Sequence, residues 1–433
     1  MRAQKHDPVA NSTEVHRYFR RNYLAHSIEG GLYMGGLAFL AAETVLPAMV
    51  KSLGGADWLV SLMPMMLTLG IGWPSLLTAH WVEQMPRVKP FILTTGFLQR
   101  LPYLMAGVFL LRAADLHPLW TLFLVATAPI VSGLITGLNF AAWMQLISRA
   151  IPEDRRSSAW AIRWILAACI GIGAGRAISL VLERFPGTTG YGILHLAAFS
   201  LCMLSFALQA TLHEVRSSPP PSTPPHRLAE SLARIPELLS LDRRLRDFLC
   251  ARSLSMGLYV VTPFLSIHAL STLGKDESYL GVLVMWQMAG GILGNILAGY
   301  LGDRGGGRLP MILARSLFVT AFVAVALNRS QVGFMVIFFL FGAAFYLEQV
   351  GSSTLSVDIC PQDRIPTYIS LVSAVTSAAM LIAAALSTAL RDLTTGLLPA
   401  AFVSAGTVAL SSFFLVRLKD PRRMRPQAAS CGE

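Results

Sequence analysis

Charged residues are scarce in this sequence. Only 14% of its 433 residues are Asp, Glu, Lys or Arg, and 54% are apolar, whereas about a quarter of the residues in a soluble domain are charged. Apolar runs of about twenty residues, the length that crosses a bilayer as a helix, recur along the whole chain. The composition therefore excludes an ordinary soluble protein and predicts an all-α membrane protein. A membrane β-barrel would alternate apolar and polar residues over about ten positions instead.

Signatures of catalysis and of nucleotide use are also missing. The five cysteines are scattered singly, without the spacing of a metal site or of a disulfide framework. The nine histidines are scattered as well, and neither an H-E-x-x-H motif nor a G-x-x-x-x-G-K-[ST] phosphate loop occurs. We therefore expect no cofactor, no metal and no use of ATP by this chain. A membrane-embedded enzyme is the less favoured class, because it would need clustered ligands or a nucleophile beside a base.

Acidic residues are outnumbered, and the net charge is +11. In a soluble protein such an excess would suggest a nucleic-acid partner. Here lysine and arginine concentrate in the two tails and in alternate connections between apolar runs, as expected of cytoplasmic segments. The charge therefore predicts two cytoplasmic termini and no nucleic-acid partner.

The apolar runs predict twelve transmembrane helices in two bundles of six. The predicted spans are residues 27–50, 57–80, 91–111, 118–147, 158–182, 190–212, 247–270, 278–301, 309–328, 332–356, 366–390 and 397–416. The corresponding domains are a cytoplasmic tail (1–26), an N-terminal bundle (27–212), a central loop (213–246), a C-terminal bundle (247–416) and a second cytoplasmic tail (417–433). In the central loop, a proline-rich spacer precedes a predicted amphipathic helix over about residues 228–239.

The segment Gly299–Pro310, which reads GYLGDRGGGRLP, lies between two long apolar runs. Its glycines permit a tight reversal, and its arginines favour the cytoplasmic side. A second pattern, P-x-D-R, occurs after the fourth span at Pro152–Arg155 and again after the tenth span at Pro361–Arg364. The recurrence at matching places predicts that the two halves are structural repeats.

These loops resemble those of the major facilitator superfamily. Gly302, Asp303, Arg304, Gly307 and Arg308 match a shortened form of its loop signature, and the two P-x-D-R sites match a second loop pattern. The resemblance covers about residues 25–418. It implies two six-helix bundles, and a secondary transporter that moves a small solute by alternating access.

The resemblance also implies a cytoplasmic gate in which Asp303 contacts the start of the fifth span. The residues assigned to this gate are Asp303, Arg304, Arg308, Glu83, Arg155, Arg163 and Arg364. Glu83 stands in the first-half counterpart of the signature, which lacks glycine. If Asp303 orders only its own turn, these residues have no gating role.

Ionisable residues within the spans are costly in lipid and therefore mark candidate sites. Glu348 in the tenth span lies at a depth similar to that of Arg252 in the seventh and Arg315 in the ninth. In the superfamily, helices one, four, seven and ten line the central cavity, so the resemblance favours Arg252 as the partner of Glu348, with Arg315 second. We predict that Glu348 carries coupling protons or binds a cationic group of the solute.

Three further groups of intramembrane residues are candidates. Glu43 and Arg176 have similar depths and are predicted to pair, because the first and fifth helices are neighbours in the superfamily. Arg100 has no acid at its depth, so Gln99 and Asn139 would satisfy it unless it extends to the interface. Asn139 and Trp143, on a predicted cavity helix, suit an amphipathic substrate. The alternative for Trp143 is an interfacial anchor.

The sequence leaves the solute, the direction of transport and the coupling ion open. A sensor or assembly factor that does not transport remains an alternative on the same fold. We expect a monomer in a plasma membrane (bacterial cytoplasmic membrane), with the lipid bilayer and a small-molecule substrate as its partners.

Overall fold

The computed structural model describes residues 8–83, 85–112, 114–115, 117–214, 243–359, 365–393 and 396–418. These residues form helices and connections, without a strand. The chain divides into two compact units. The first contains Met1–Gly55 and Met65–His226, and the second contains Ala56–Pro64 and Arg227–Glu433.

The first unit is built from helices that pack in pairs. Helix α1 packs against α8 and α9, and α4 packs against α7. The helices up to the central loop are α1 (Pro8–Leu37), α2 (Val45–Ser52), α3 (Asp57–Leu62), α4 (Met66–Glu83), α5 (Lys89–Leu98), α6 (Leu101–Arg112), α7 (Pro118–Ala150), α8 (Glu153–Arg184) and α9 (Thr188–Thr211). Of these, α3 lies in the second unit.

The second unit is also built from helices that pack in pairs. Helix α12 packs against α14, and α13 packs against both α14 and α16. Its helices are α10 (Arg243–Ser255), α11 (Thr262–Leu273), α12 (Tyr279–Gly305), α13 (Arg308–Leu327), α14 (Gln331–Ile359), α15 (Ile365–Leu393) and α16 (Leu398–Arg417). The short helix α3 packs on α15 and α11.

Within the described part of the chain, ten helical stretches are long and apolar enough to cross a membrane. The chain is thus a multi-pass membrane protein. The two predicted spans that fall short are interrupted. Span 57–80 is broken by a 3-10 turn at Met63–Met65, and span 91–111 changes direction at Gln99 and Arg100, before α6 begins. Pro64 and Pro102 stand at these breaks, where the absence of an N–H prevents one continuous helix.

The glycine-rich segment Gly299–Pro310 is mostly helical rather than a loop. Helix α12 continues to Gly305, and α13 begins at Arg308. The reversal is confined to Gly306 and Gly307, and Gly306 has a φ of 64°, a conformation that costs glycine little. Asp303 and Arg304 therefore lie on the last turn of α12.

The N-terminal boundary also differs from the prediction. Helix α1 begins at Pro8, so residues predicted as a tail up to 26 are helical from that point. Asn22, Ala25 and His26 are buried, because the middle of α1 packs within the unit. The predicted amphipathic helix of the central loop and the tail beyond residue 418 lie outside the described residues.

Candidate functional site

A buried carboxylate bound by two arginines lies inside the second unit. Glu348 on α14 accepts a hydrogen bond at Oε1 from Arg252 Nη1 at 2.8 Å, and Arg315 Nη2 approaches the same oxygen at 3.4 Å. We call Arg252, Arg315 and Glu348 the second-unit cluster. The structure therefore brings both predicted partners to Glu348, where the sequence favoured only one.

The two arginines of this cluster have different surroundings. The side chain of Arg315 is 0% exposed, and its guanidinium also donates to the carbonyls of Ser411 and Ala251. Arg315 thereby connects four helices: α13, α14, α16 and α10. The side chain of Arg252 is 12% exposed. Arg252 is thus the arginine of the pair that an incoming group can reach, whereas Arg315 holds the helices together.

Some polar atoms of the second-unit cluster make no hydrogen bond with the described residues. Among the described residues, Glu348 Oε2 and the Nε atoms of both arginines have no hydrogen-bond partner. The three side chains carry one negative and two positive charges. A surplus positive charge in a low-dielectric interior is costly, so this arrangement favours the approach of a negative group.

A second charged cluster lies within the first unit. Glu29 Oε2 on α1 accepts a hydrogen bond from Arg163 Nη1 on α8 at 2.9 Å. His26 Nδ1, one turn earlier on α1, lies 3.8 Å from the same oxygen. All three side chains are buried. We call His26, Glu29 and Arg163 the first-unit cluster.

Two indole rings enclose this cluster. The guanidinium of Arg163 lies 4.9 Å from the ring centre of Trp143 and 5.4 Å from that of Trp160, at distances where a cation is attracted to an aromatic face. The ring of His26 lies 5.8 Å from Trp143 and 5.7 Å from Trp160. Trp143 therefore contacts charged core residues here and is not solely an interfacial anchor.

Close helix packing places Arg163 against the backbone of α1. A methyl group built on Gly30 would collide with the Arg163 guanidinium. Because glycine has no side chain, the guanidinium can lie directly over α1 and reach Glu29. The ion pair between α1 and α8 thus depends on Gly30.

Arg100 is satisfied by other groups than those predicted. It is buried, Nε donates to the carbonyl of Cys202 at 2.7 Å, and Nη1 donates to the carbonyl of Gly96. The amide of Gln99 instead accepts from Asn139 at 3.2 Å. The prediction that Gln99 and Asn139 satisfy Arg100 is therefore wrong, because backbone carbonyls of α5 and α9 accept its hydrogen bonds instead.

The predicted pair of Glu43 and Arg176 is not among the ion pairs that the described residues form. The side chain of Arg176 is exposed on α8. Equal depth along two helices did not account for their rotation, which decides whether two side chains meet.

Four of the residues assigned to the cytoplasmic gate have described side chains. Arg163 is buried in the first-unit cluster, Arg304 is exposed and donates to the hydroxyl of Tyr300, and Arg308 donates to the carbonyl of Val416 at 2.7 Å. Arg155 is exposed on the first turn of α8. The side chains of Asp303, Glu83 and Arg364 lie outside the described residues.

Sequence reasoning missed His26 and Glu29. Both stand at the predicted boundary between tail and span, where polar residues are ordinarily exposed. The signal was a histidine and a glutamate spaced i, i+3, which places them on one helix face, beside glycines at Gly30 and Gly31.

A third buried carboxylate, Glu214, follows α9. It accepts hydrogen bonds from the backbone N–H groups of Val88 and Lys89, at 2.7 and 3.0 Å, and from Arg149 at 3.2 Å. A carboxylate at the first turn of a helix, here α5, satisfies free N–H groups and the helix dipole. Through these three hydrogen bonds Glu214 connects the end of α9 with α5 and with Arg149 on α7. Burial, with a smaller contribution from Arg21, lowers the pKa of the neighbouring Lys89 ammonium.

Two charged clusters in helical, membrane-crossing units define a class: multi-pass membrane proteins with ionisable groups at their core. Residues 247–432 match the sequence profile of the Major Facilitator Superfamily. No curated protein matches the sequence significantly.

Solved structures share the fold over most of the chain. A mutant of the nucleoside transporter NupG is 13% identical, covers 92% of this chain and 99% of its own, and has a TM-score of 0.69. A bacterial homologue of the iron transporter ferroportin, in an inward-facing state, is 15% identical, with coverages of 92% and 98% and a TM-score of 0.63. The E. coli fucose:proton symporter FucP is 15% identical, with the same coverages and a TM-score of 0.61.

The profile match and the shared fold confirm the resemblance to the major facilitator superfamily. The similar structures are transporters and not enzymes. At these identities the comparison shows the fold alone, so the chemistry of transport has to be argued from the clusters of this chain.

Proposed function

We propose that this protein is a secondary active transporter that moves a small solute by alternating access. The observation that carries the proposal is the second-unit cluster, a carboxylate and two arginines buried in a membrane-crossing unit with unsatisfied polar atoms. Intramembrane charges of this kind are expensive, and in membrane proteins they mark solute or ion pathways.

The cluster favours a solute with an anionic group, such as a carboxylate or a phosphate. Arg252 is partly exposed, and its Nε atom has no partner among the described residues. An arginine binds carboxylate and phosphate groups in a forked geometry that a neutral sugar does not provide. A cationic group at Glu348 would instead have to displace two arginines.

The finer topology belongs to the same proposal. The interrupted helices α3–α4 and α5–α6 would complete twelve crossings, with both termini in the cytoplasm of a cell whose plasma membrane holds the protein. The gate built around Asp303 stays a prediction, as do a monomeric state and proton coupling.

Ligand stabilisation followed by flux tests the proposal. The purified protein is heated with a panel of carboxylates, sugar phosphates and nucleotides, and with nucleosides and fucose as the neutral comparison. A ligand of the folded state raises the apparent stability with its concentration. Compounds that stabilise the protein are then followed into proteoliposomes.

We expect an anionic member of the panel to stabilise the protein and to enter the vesicles, and the substitution Arg252→Gln to abolish both effects. Neutral compounds that bind and enter equally well in the parent and in Arg252→Gln would contradict the anionic solute. A stabilising compound that never crosses the bilayer would instead favour a sensor without transport.

A further inference from the structure

A cavity lies at one end of the second unit, where four candidate membrane spans begin or end. These spans end at Leu273, Leu327 and Leu393 and begin at Leu398. The cavity has a volume of about 200 Å³, and a smaller cavity of about 40 Å³ adjoins it. His268 on α11 and Leu397 line both, so we call the two together the span-end cavity. Its position corresponds to the membrane interface, where lipid headgroups lie.

Basic side chains line the span-end cavity. Arg329 lines its larger part and Arg391 its smaller part, with His268 between them. Both arginines are close enough to the ring of His268 for their charges to act on it. No described residue that lines either part is acidic. Because arginine stays charged at any physiological pH, the span-end cavity favours a negative group.

The two arginines are held in place by neighbouring groups. Arg391 Nε lies 3.7 Å from Asp57 Oδ2, and the arginine side chain stays 35% exposed. Asp57 therefore positions the guanidinium and offsets part of its charge. Arg329 Nη1 donates to the carbonyl of Asn328 at 3.0 Å, and the side chain of Asn328 closes the turn between α13 and α14. Groups that are already ordered lose less conformational entropy when a ligand binds.

The first turn of α16 adds to the positive potential of these side chains. Gly396, Leu397 and Leu398 line the larger part of the span-end cavity where this helix of 20 residues begins. No side chain of a described residue caps its first turn, and the free N–H groups there carry the positive end of the helix dipole. The helix start therefore reinforces the preference for a negative group that the arginines create.

The size and the rim of the span-end cavity favour a lipid headgroup. A drug-sized ligand needs a pocket of about 300–1,000 Å³, so this cavity suits a single phosphate group, which arginine binds well. Leucines around it are exposed: Leu327 by 81%, Leu393 by 80% and Leu398 by 45%. Such side chains can lie against acyl chains while the headgroup enters the cavity.

We propose that the span-end cavity binds the phosphate group of an anionic phospholipid. Arg329 and Arg391 supply charged donors to the phosphate oxygens, and the imidazole of His268 supplies a further N–H donor between them. The acyl chains lie along the exposed leucines. None of the residues that line the cavity belongs to the second-unit cluster, so the lipid site does not depend on the proposed transport function.

Thermal unfolding of the delipidated protein in detergent tests the lipid site. Phosphatidylglycerol, phosphatidylcholine and glycerol 3-phosphate are each added at increasing concentration, since a ligand of the folded state raises the apparent unfolding temperature. We expect the largest rise with phosphatidylglycerol. Arg329→Gln should weaken this binding about tenfold or more, because a charge-assisted hydrogen bond to the phosphate is lost. Arg329 is exposed, so the variant should fold.

Two further variants separate the cavity from general surface charge. Lys275 is exposed at the same end of the unit and lines neither part of the cavity, so Lys275→Gln should bind like the parent. Ala326→Phe fills the larger part without changing its charge and should weaken binding as Arg329→Gln does. The site is overturned if phosphatidylglycerol fails to stabilise the parent, if Arg329→Gln and Ala326→Phe bind like the parent, or if Lys275→Gln loses binding as fully as Arg329→Gln. Equal stabilisation by phosphatidylcholine or by glycerol 3-phosphate would overturn the anionic lipid as the occupant.

Discussion

The buried carboxylates of the two units have different neighbours. In the first unit, Glu29 pairs with a single arginine beside a neutral histidine, and two indoles cover the pair. In the second unit, Glu348 shares one oxygen between two arginines, and backbone carbonyls hold Arg315. The first cluster is charge-balanced. The second carries a surplus positive charge and therefore favours an anion.

This difference separates the two units chemically. The balanced pair of the first unit lies beside an imidazole and two indoles, whereas the unbalanced triad of the second unit favours a negative group. The shared fold alone would not have predicted the difference, since the fold of the solved structures extends over both units while the buried side chains differ.

The largest expected effect comes from neutralising Glu348. Glu348→Gln leaves two buried arginines without a counter-charge, and breaking a buried pair in this way costs about 3–5 kcal/mol. Denaturant unfolding in detergent should show this loss. The exposed Glu183 on α8 supplies the control, because Glu183→Gln should change stability by less than about 0.5 kcal/mol. If Glu348→Gln and Glu183→Gln are equally stable, the charge of Glu348 does not stabilise the two buried arginines.

The two arginines of the second-unit cluster should separate stability from binding. Arg315→Met removes three hydrogen bonds from a fully buried guanidinium and should cost about 2–4 kcal/mol, whereas Arg252→Met should cost about 1–2 kcal/mol. Ligand stabilisation should show the opposite ranking, with the larger loss in Arg252→Met. Identical effects on stability and on ligand binding would remove the distinction.

Gly30 tests whether the first-unit cluster needs close contact between α1 and α8. Gly30→Ala should displace Arg163 and cost about 1–3 kcal/mol, as overpacking does. Gly173 on α8 is the control, because a methyl group there meets nothing within 4 Å, and alanine should be neutral or stabilising in the helix. A neutral Gly30→Ala would show that Arg163 does not rest on α1.

The smallest effect is expected at Glu214, which lies outside both clusters. Glu214→Gln keeps an acceptor oxygen but loses the charge that holds Arg149 and the start of α5, at a cost of about 1 kcal/mol. Thermal unfolding should show a modest decrease, and stabilisation by an anionic ligand should be unchanged. Loss of that stabilisation would mean that binding of this ligand is not confined to the second-unit cluster.

The sequence was informative about the membrane class and about the partners of Glu348. Apolar runs and repeated loop motifs can be recognised from short stretches of sequence. They therefore predicted a multi-pass helical protein and its likeness to the major facilitator superfamily. Similar depth in the membrane predicted that Arg252 and Arg315 lie near Glu348. The structure brings the three side chains together, because each lies on the inward face of its helix within one unit.

The remainder depended on side-chain orientation and on backbone acceptors, which depth does not specify. Arg176 lies at the predicted depth, but its side chain is exposed. Arg100 donates to the backbone carbonyls of Gly96 on α5 and Cys202 on α9, whereas depth suggested side-chain amides. His26 was assigned to a tail, because the helix that carries it begins well before the apolar run.

One paired measurement tests the difference between the two clusters most directly. Arg163→Gln and Arg252→Gln are compared side by side for stabilisation by an anionic ligand that stabilises the parent. We expect Arg163→Gln to keep the stabilisation by the ligand and Arg252→Gln to lose it. The account is contradicted if Arg252→Gln is stabilised as fully as the parent, or if Arg163→Gln loses the stabilisation as fully as Arg252→Gln.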